Sequence, residues 1–299
     1  MKRRLRKGLT LLLAMVCVVS GALAVCRLWD YRAADKTYHA ARELVLPAVP
    51  DSAVETAAEP PLTVTEEPIP LTQIPGEEPA ALELLPEPTV EPIPAPAQEP
   101  LEENAQFLLE LDVDALRQTN GDVLGWIYIP DSVINYPLMA FGNNETGLHQ
   151  SWDGSRSSAG SIFLEGKNRR DFSDFNTLIY GHRMRNGSMF GSLKQYQKQD
   201  YLDSHALIYI VTDETLRRYQ VFAAYEAKVL SDTYRLYFES DEQKEEVLQY
   251  YRDSSLVESE WIPTAADHVL TLSTCLESGN YNHRWVVQAV QTGEFPRGE

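Results

Sequence analysis

Thr271-Leu272-Ser273-Thr274-Cys275 reads as a β-strand that finishes in a thiol. Nine residues on, Arg284 opens a second apolar run, Arg284-Trp285-Val286-Val287-Gln288-Ala289-Val290. Upstream, Leu178-Ile179-Tyr180-Gly181-His182 is a third run and ends in histidine. A thiol, a guanidinium and an imidazole, each at a strand end, suit a cysteine nucleophile. The thiolate is the attacking species, and both neighbouring groups favour it. His182 can give a proton to a leaving amine. Arg284 stays charged at any ordinary pH, so it suits an oxyanion or the substrate's carbonyls better than the role of base. The chemistry expected is acyl transfer: attack on an amide, loss of an amine, and capture of the acyl group by water or a second amine.

Other readings of these residues stand beside this one. Cys275 could be a buried structural cysteine, because a free thiol packs as a small hydrophobe. Arg284 could be a surface ion-pair partner. His283, next to Arg284, is a rival imidazole, whereas His39, His149, His205 and His268 do not close an apolar strand after a glycine. Glu277 either orients His182 or is solvated. The chain has three cysteines, and Cys17 and Cys26 lie in or beside an N-terminal apolar stretch. Cys275 therefore has no intradomain disulfide partner and no second thiol for a metal site, so no metal or cofactor is expected.

Charge divides the chain into three parts. Residues 1–42 carry net +7, residues 43–116 net −17 with no Lys or Arg, and residues 117–299 net −8. An acidic protein of this kind lacks the basic surface that nucleic acid requires. The chain opens Met1-Lys2-Arg3-Arg4-Leu5-Arg6-Lys7, followed by an uncharged, mostly apolar stretch from Gly8 to Cys26. That length suits a bilayer-crossing helix, and the preceding positive charge places its N-terminal end in the cytoplasm. Residues 1–26 are read as a basic end plus a single-pass membrane anchor, with the rest of the chain outside the cell. A cleavable signal peptide ending at Ala22-Leu23-Ala24, or a lipidated Cys26, are competing readings that also export the domain.

Residues 27–46 read as a juxtamembrane segment that could continue the helix. Residues 47–103 read as an acidic, disordered linker; 14 of the 18 prolines fall in 47–100. Proline removes backbone donors and like charges repel, so the segment should stay extended, with a reach on the order of 160 Å. A folded domain is expected over 104–299. It begins with a helix from Asn104 to Gln118, and strands follow at 125–130, 134–139, 160–165, 176–182, 206–212, 217–230, 268–275 and 284–292. The 217–230 run is long enough to bend or break. Helices are expected from Met189 to about Tyr201 and from Ser240 to about Tyr251. Eight strands with few helices predict a mainly β fold, a closed or nearly closed barrel.

These motifs resemble the sortase transpeptidases. Thr-Leu-Ser-Thr-Cys followed by Arg-x-Val-Val is similar to the family signature. Tyr-Gly-His followed by Asn186-Gly187-Ser188-Met189-Phe190, the helical insert before the cysteine strand and the helix before the first strand are similar to class B. The resemblance covers about residues 104–292. It implies an eight-stranded sortase barrel on the surface of a Gram-positive cell, with His182, Cys275 and Arg284 as catalytic residues. It implies cleavage of a C-terminal sorting signal of secreted proteins after a threonine, and transfer to an amine of the peptidoglycan cross-bridge or its precursor, or in some members to a pilin lysine. Tyr180 and Ser273 should line the groove, and Asn144, Leu148 and Tyr234 match positions that contact the signal. A sortase-fold peptidase that only hydrolyses, or a surface binding module that keeps the barrel, are the alternatives.

Overall fold

The computed structural model describes residues 2–45, 100–275 and 282–298, without the side chains of 2–14, 23, 24, 26–28 and 275. The 47–103 linker therefore lies mostly outside the described residues, and Glu277 lies wholly outside them.

Eight strands close into a barrel: β1 (Val123–Tyr128), β2 (Asn135–Met139), β3 (Ile162–Leu164), β4 (Asn176–Gly181), β5 (Leu207–Val211), β6 (Thr215–Lys228), β7 (Val269–Cys275) and β8 (His283–Pro296). Around the barrel they run β1-β2-β3-β4-β7-β8-β6-β5, and β5 returns to β1. The β2–β3 and β4–β7 pairs are parallel and the others antiparallel. Each strand lies where the alternating apolar pattern places one. The long sixth strand is unbroken; two register shifts, at Arg218/Tyr219 and Val221/Ala223, absorb its curvature against β8.

The helices depart further from expectation. The helix expected over Asn104–Gln118 is two pieces, a 3-10 turn at Glu103–Glu110 and α2 (Val113–Arg117). Asp112 splits them, because its side chain caps α2 by accepting the Ala115 N–H at 2.9 Å. The helix expected from Met189 to Tyr201 is likewise divided, into a 3-10 turn at Gly191–Gln197 and α4 (Gln199–Ser204). Met189 itself has φ +54, outside any right-handed helix. A short α3 (Asn144–His149) and a 3-10 turn at Asp232–Tyr234 were not foreseen. The insert before the cysteine strand is α5 (Asp241–Ser254), whose Val247, Leu248 and Tyr251 pack on Phe222, Tyr225, Val269 and Val286 outside the barrel. Trp126, Ile127, Leu270, Leu272 and Val287 belong to the larger core.

The expected juxtamembrane helix is the end of one long helix, α1 (Lys2–Val45). Tyr38, Ala41 and Val45 are buried in the main core, and the Asp112 N–H donates to the Val45 carbonyl at 3.3 Å. Among the described residues no helix is long and apolar enough to cross a membrane. The anchor expected over Gly8–Cys26 is thus not shown; about half of that stretch's side chains lie outside the described residues.

Behind the strand ends runs a chain of buried polar side chains. The Thr271 hydroxyl donates to Asn176 Oδ1 at 2.8 Å, and Gln288 Nε2 donates to Thr271 at 3.2 Å. Asn176 Nδ2 donates to the carbonyls of Thr233 at 3.2 Å and Arg235 at 3.0 Å. Asn176→Ala strands several of these partners. It should lower unfolding free energy by about 2–4 kcal/mol in denaturant titration. A loss below about 0.5 kcal/mol would show that the chain contributes little.

Candidate active site

Backbone register brings the three expected residues together. In the parallel β4–β7 pair, Tyr180 lies opposite Ser273 and Gly181 opposite Thr274. One step further stand His182 on one strand end and Cys275 on the next. In the antiparallel β7–β8 pair, Cys275 is the partner of Arg284. Three adjacent strand ends thus carry imidazole, thiol and guanidinium across neighbouring ladders, spaced by the ordinary strand separation. The Cys275 side chain lies outside the described residues.

His182 Nε2 lies 3.0 Å from the Leu148 carbonyl. A carbonyl only accepts, so Nε2 holds the hydrogen and Nδ1 is the nitrogen that can exchange a proton. Leu148, expected at the signal, therefore reaches the site through its backbone. Gly160 packs against the same ring: with φ +57, a Cβ built on it would lie 2.9 Å from His182 Cδ2 and 2.5 Å from the Gly147 carbonyl. Only glycine fits this corner without displacing the backbone.

Beside these strand ends lies a polar wall. Tyr180 donates to Glu165 Oε2 at 3.0 Å, and Asn144 Nδ2 donates to the same oxygen at 2.7 Å. Asn144 Oδ1 accepts the Gly166 N–H at 2.9 Å, so both ends of its amide are engaged inside the protein. The hydroxyls of Tyr234 and Ser273 are 3.0 Å apart. Burial first, then the Glu165 carboxylate, pushes the Tyr180 hydroxyl well above its ordinary value, while the Arg284 charge pulls it back. Tyr180, Ser273, Tyr234 and Arg284 therefore share one neighbourhood, which Asn144 joins through Glu165.

Glu165 is the member that sequence reading missed. It is 9% exposed and ends the apolar run Ile162-Phe163-Leu164, a signal that alternation alone treats as a strand end. Three of the other histidines sit elsewhere, and the rival His283 is set apart by strand alternation. His205 stacks on Tyr201 with centroids 3.9 Å apart, His268 Nδ1 lies 3.1 Å from the Asp174 carbonyl, and His39 pairs with Glu43 at 3.3 Å on α1. His283 precedes Arg284 on β8 in register with Lys228, so alternation puts it on the other face of the strand. Among the described residues no group of three His, Cys, Asp or Glu is placed to hold a metal ion.

A family model described as the sortase domain matches residues 127–292, more than half of the chain. The chain belongs to the sortase family. Its relatives include Sortase B of Listeria monocytogenes, 35% identical over 176 residues, which are 58% of this chain and 71% of that protein. A Staphylococcus aureus sortase B–substrate complex superposes with a TM-score of 0.57 at 29% identity, covering 60% of this chain and 83% of that one. The sortase B of Bacillus anthracis superposes with a TM-score of 0.56 at 34% identity, covering 60% of this chain and 81% of that one. The closed eight-stranded barrel is that of the class B sortases, and the enzyme is a sortase-type cysteine transpeptidase.

In this sortase, Glu165→Gln removes the charge beside Tyr180 but not the burial. A raised tyrosine pKa stabilises the fold fully below the ordinary value of 10.0 and ceases to do so as pH rises through the folded value. Carbon-13 NMR titration of the tyrosine rings should show Tyr180 titrating lower in the variant, still above its ordinary value, with a shallower alkaline loss of stability. An unchanged Tyr180 titration would assign the whole shift to burial.

Proposed function

We propose that this sortase cleaves a C-terminal sorting signal of secreted proteins after threonine, holds the acyl group as a thioester on Cys275, and transfers it to an amine of peptidoglycan or its precursor. The reading rests on one observation, the register that sets His182, Cys275 and Arg284 on three adjacent strand ends. The Cys275 thiolate attacks the threonine carbonyl carbon. Arg284 donates hydrogen bonds to the oxygen that becomes negative, so it acts most strongly in the transition state. Protonated His182 gives its Nδ1 proton to the leaving amine, the C–N bond breaks, and the thioester remains. An incoming amine loses a proton to Nδ1, attacks the thioester and expels the thiolate, which restores the enzyme.

Tyr180, Ser273 and Tyr234 form the groove wall beside the nucleophile, and Asn144 supports it through Glu165. An Asn-Pro-x-Thr or related Pro-x-Thr signal fits the class B likeness. The enzyme is held at the cell membrane by its N-terminal helix, with the catalytic domain outside. Support for this comes from Lys2, Arg3, Arg4, Arg6 and Lys7 before the apolar stretch, and from Met15, Val16, Val18 and Val19, which are exposed on successive faces of α1.

The test incubates the full chain with Pro-x-Thr peptides, with and without a glycine-type or diaminopimelate-type amine, and follows products by mass spectrometry. Peptide cut after threonine and joined to the amine is the expected product. Cutting with no joining to either amine would favour the hydrolase. Cys275→Ala should abolish turnover with an unchanged melting temperature. Arg284→Lys should lose most activity, about a hundredfold, because the planar fork is lost. Near-normal turnover in either variant contradicts the mechanism.

A further inference from the structure

The end of α1 precedes the acidic segment in sequence, yet it is built into the wall behind His182. The Tyr38 hydroxyl, 3% exposed, donates to the Gly160 carbonyl at 2.6 Å. Burial pushes its ionisation far above the ordinary tyrosine value, so it remains a donor at every working pH. Gly160 in turn faces the imidazole so closely that a Cβ on it would meet both His182 Cδ2, at 2.9 Å, and the Leu148 carbonyl that accepts from Nε2, at 3.0 Å. A second line of contacts reaches the backbone of the histidine. The Tyr38 ring meets Tyr136 edge-on at 5.2 Å, and Arg42 lies over that same Tyr136 ring at 5.2 Å. The Tyr136 hydroxyl accepts the Met189 N–H at 3.1 Å, and the neighbouring Phe190 N–H donates to the His182 carbonyl at 3.0 Å.

The helix is fixed in place independently of Tyr38. Trp152 Nε1 donates to the Thr37 carbonyl at 2.9 Å, Arg42 Nε to the Asn135 carbonyl at 3.1 Å, and Val45 accepts from Asp112. Where the described chain resumes, Leu101 is buried, and Arg218 donates to the Pro100 carbonyl at 3.3 Å and to Glu102 at 2.7 Å. Both flanks of the acidic segment are therefore tied to the barrel, which rests directly on α1.

We propose that Tyr38 is a positioning residue for the transpeptidation reaction: through Gly160 it fixes the ring of His182, so that the helix leading to the N-terminus is part of the catalytic unit. The proposal rests on His182 being the proton-exchanging group. A ring aimed by a rigid wall delivers its proton in the right geometry, and small misplacements of such a group slow the chemical step more than they weaken binding.

The test uses the full chain carrying Tyr38→Phe, which keeps the ring and its packing and removes one hydroxyl. Steady-state transpeptidation should show kcat lowered about three- to tenfold with KM changed by less than about twofold. In protein labelled with nitrogen-15 histidine, the His182 Nε2–H resonance should broaden by faster exchange with water. A merely structural hydroxyl would lower the melting temperature and leave that resonance and kcat alone, which would overturn the proposal. A loss carried by KM would overturn it too. His182→Ala run beside it separates the two levels: substantial turnover there defeats the reading of His182 and the proposal with it. An inactive His182→Ala with a wild-type Tyr38→Phe defeats the positioning role alone.

Discussion

Asn176, Thr271 and Gln288 are fully buried and polar, one on each of β4, β7 and β8. Left without partners, each would destabilise the fold; joined into one chain, they satisfy one another and demand one register. A slip of one residue between any two of these strands would turn a polar side chain to the opposite face and break the chain. That same register puts His182 beside Cys275 and Cys275 beside Arg284. The alignment of these three residues is thus set by hydrogen bonds between other side chains.

The network also reaches outward. Asn176 Nδ2 holds the carbonyls of Thr233 and Arg235, and Tyr251 of α5 lies 3.3 Å from it. Tyr225 joins Thr233 at 3.0 Å. The turn that carries Tyr234 is thereby pinned to the start of β4, and α5 packs on the barrel through an apolar layer of its own. Beside the three strand ends, this network and α5 hold the turn of Tyr234, while Asn144 of α3 and Glu165 hold Tyr180. The strand ends between them need only present their side chains, which is the arrangement that a preorganised transition-state site requires.

The barrel was legible because alternation of apolar residues is a local signal, and eight such runs leave few other architectures. His182, Cys275 and Arg284 stood out for the same reason, each closing or opening an apolar run. The helices were less legible, because capping by Asp112 and a left-handed Met189 interrupt patterns that periodicity alone reads as continuous. Glu165 was hidden because a carboxylate at a strand end ordinarily faces water; only the folded contact with Tyr180 and Asn144 makes it part of the wall. The packing of α1 on the barrel was hidden for a deeper reason. More than fifty residues of acidic, proline-rich sequence separate Val45 from Leu101, and nothing in that composition says that its two flanks are tied to one barrel.

The thioester proposed on the strand-end cysteine can be trapped. The most direct measurement is rapid acid quenching of the full chain with a Pro-x-Thr peptide and no acceptor amine, followed by intact-mass analysis and proteolytic mapping. The expected result is a protein heavier by the peptide fragment ending in threonine, with the adduct on the proteolytic peptide containing Cys275 and removed by hydroxylamine. Product formation with no adduct at any quench time, or an adduct on another residue, would contradict it.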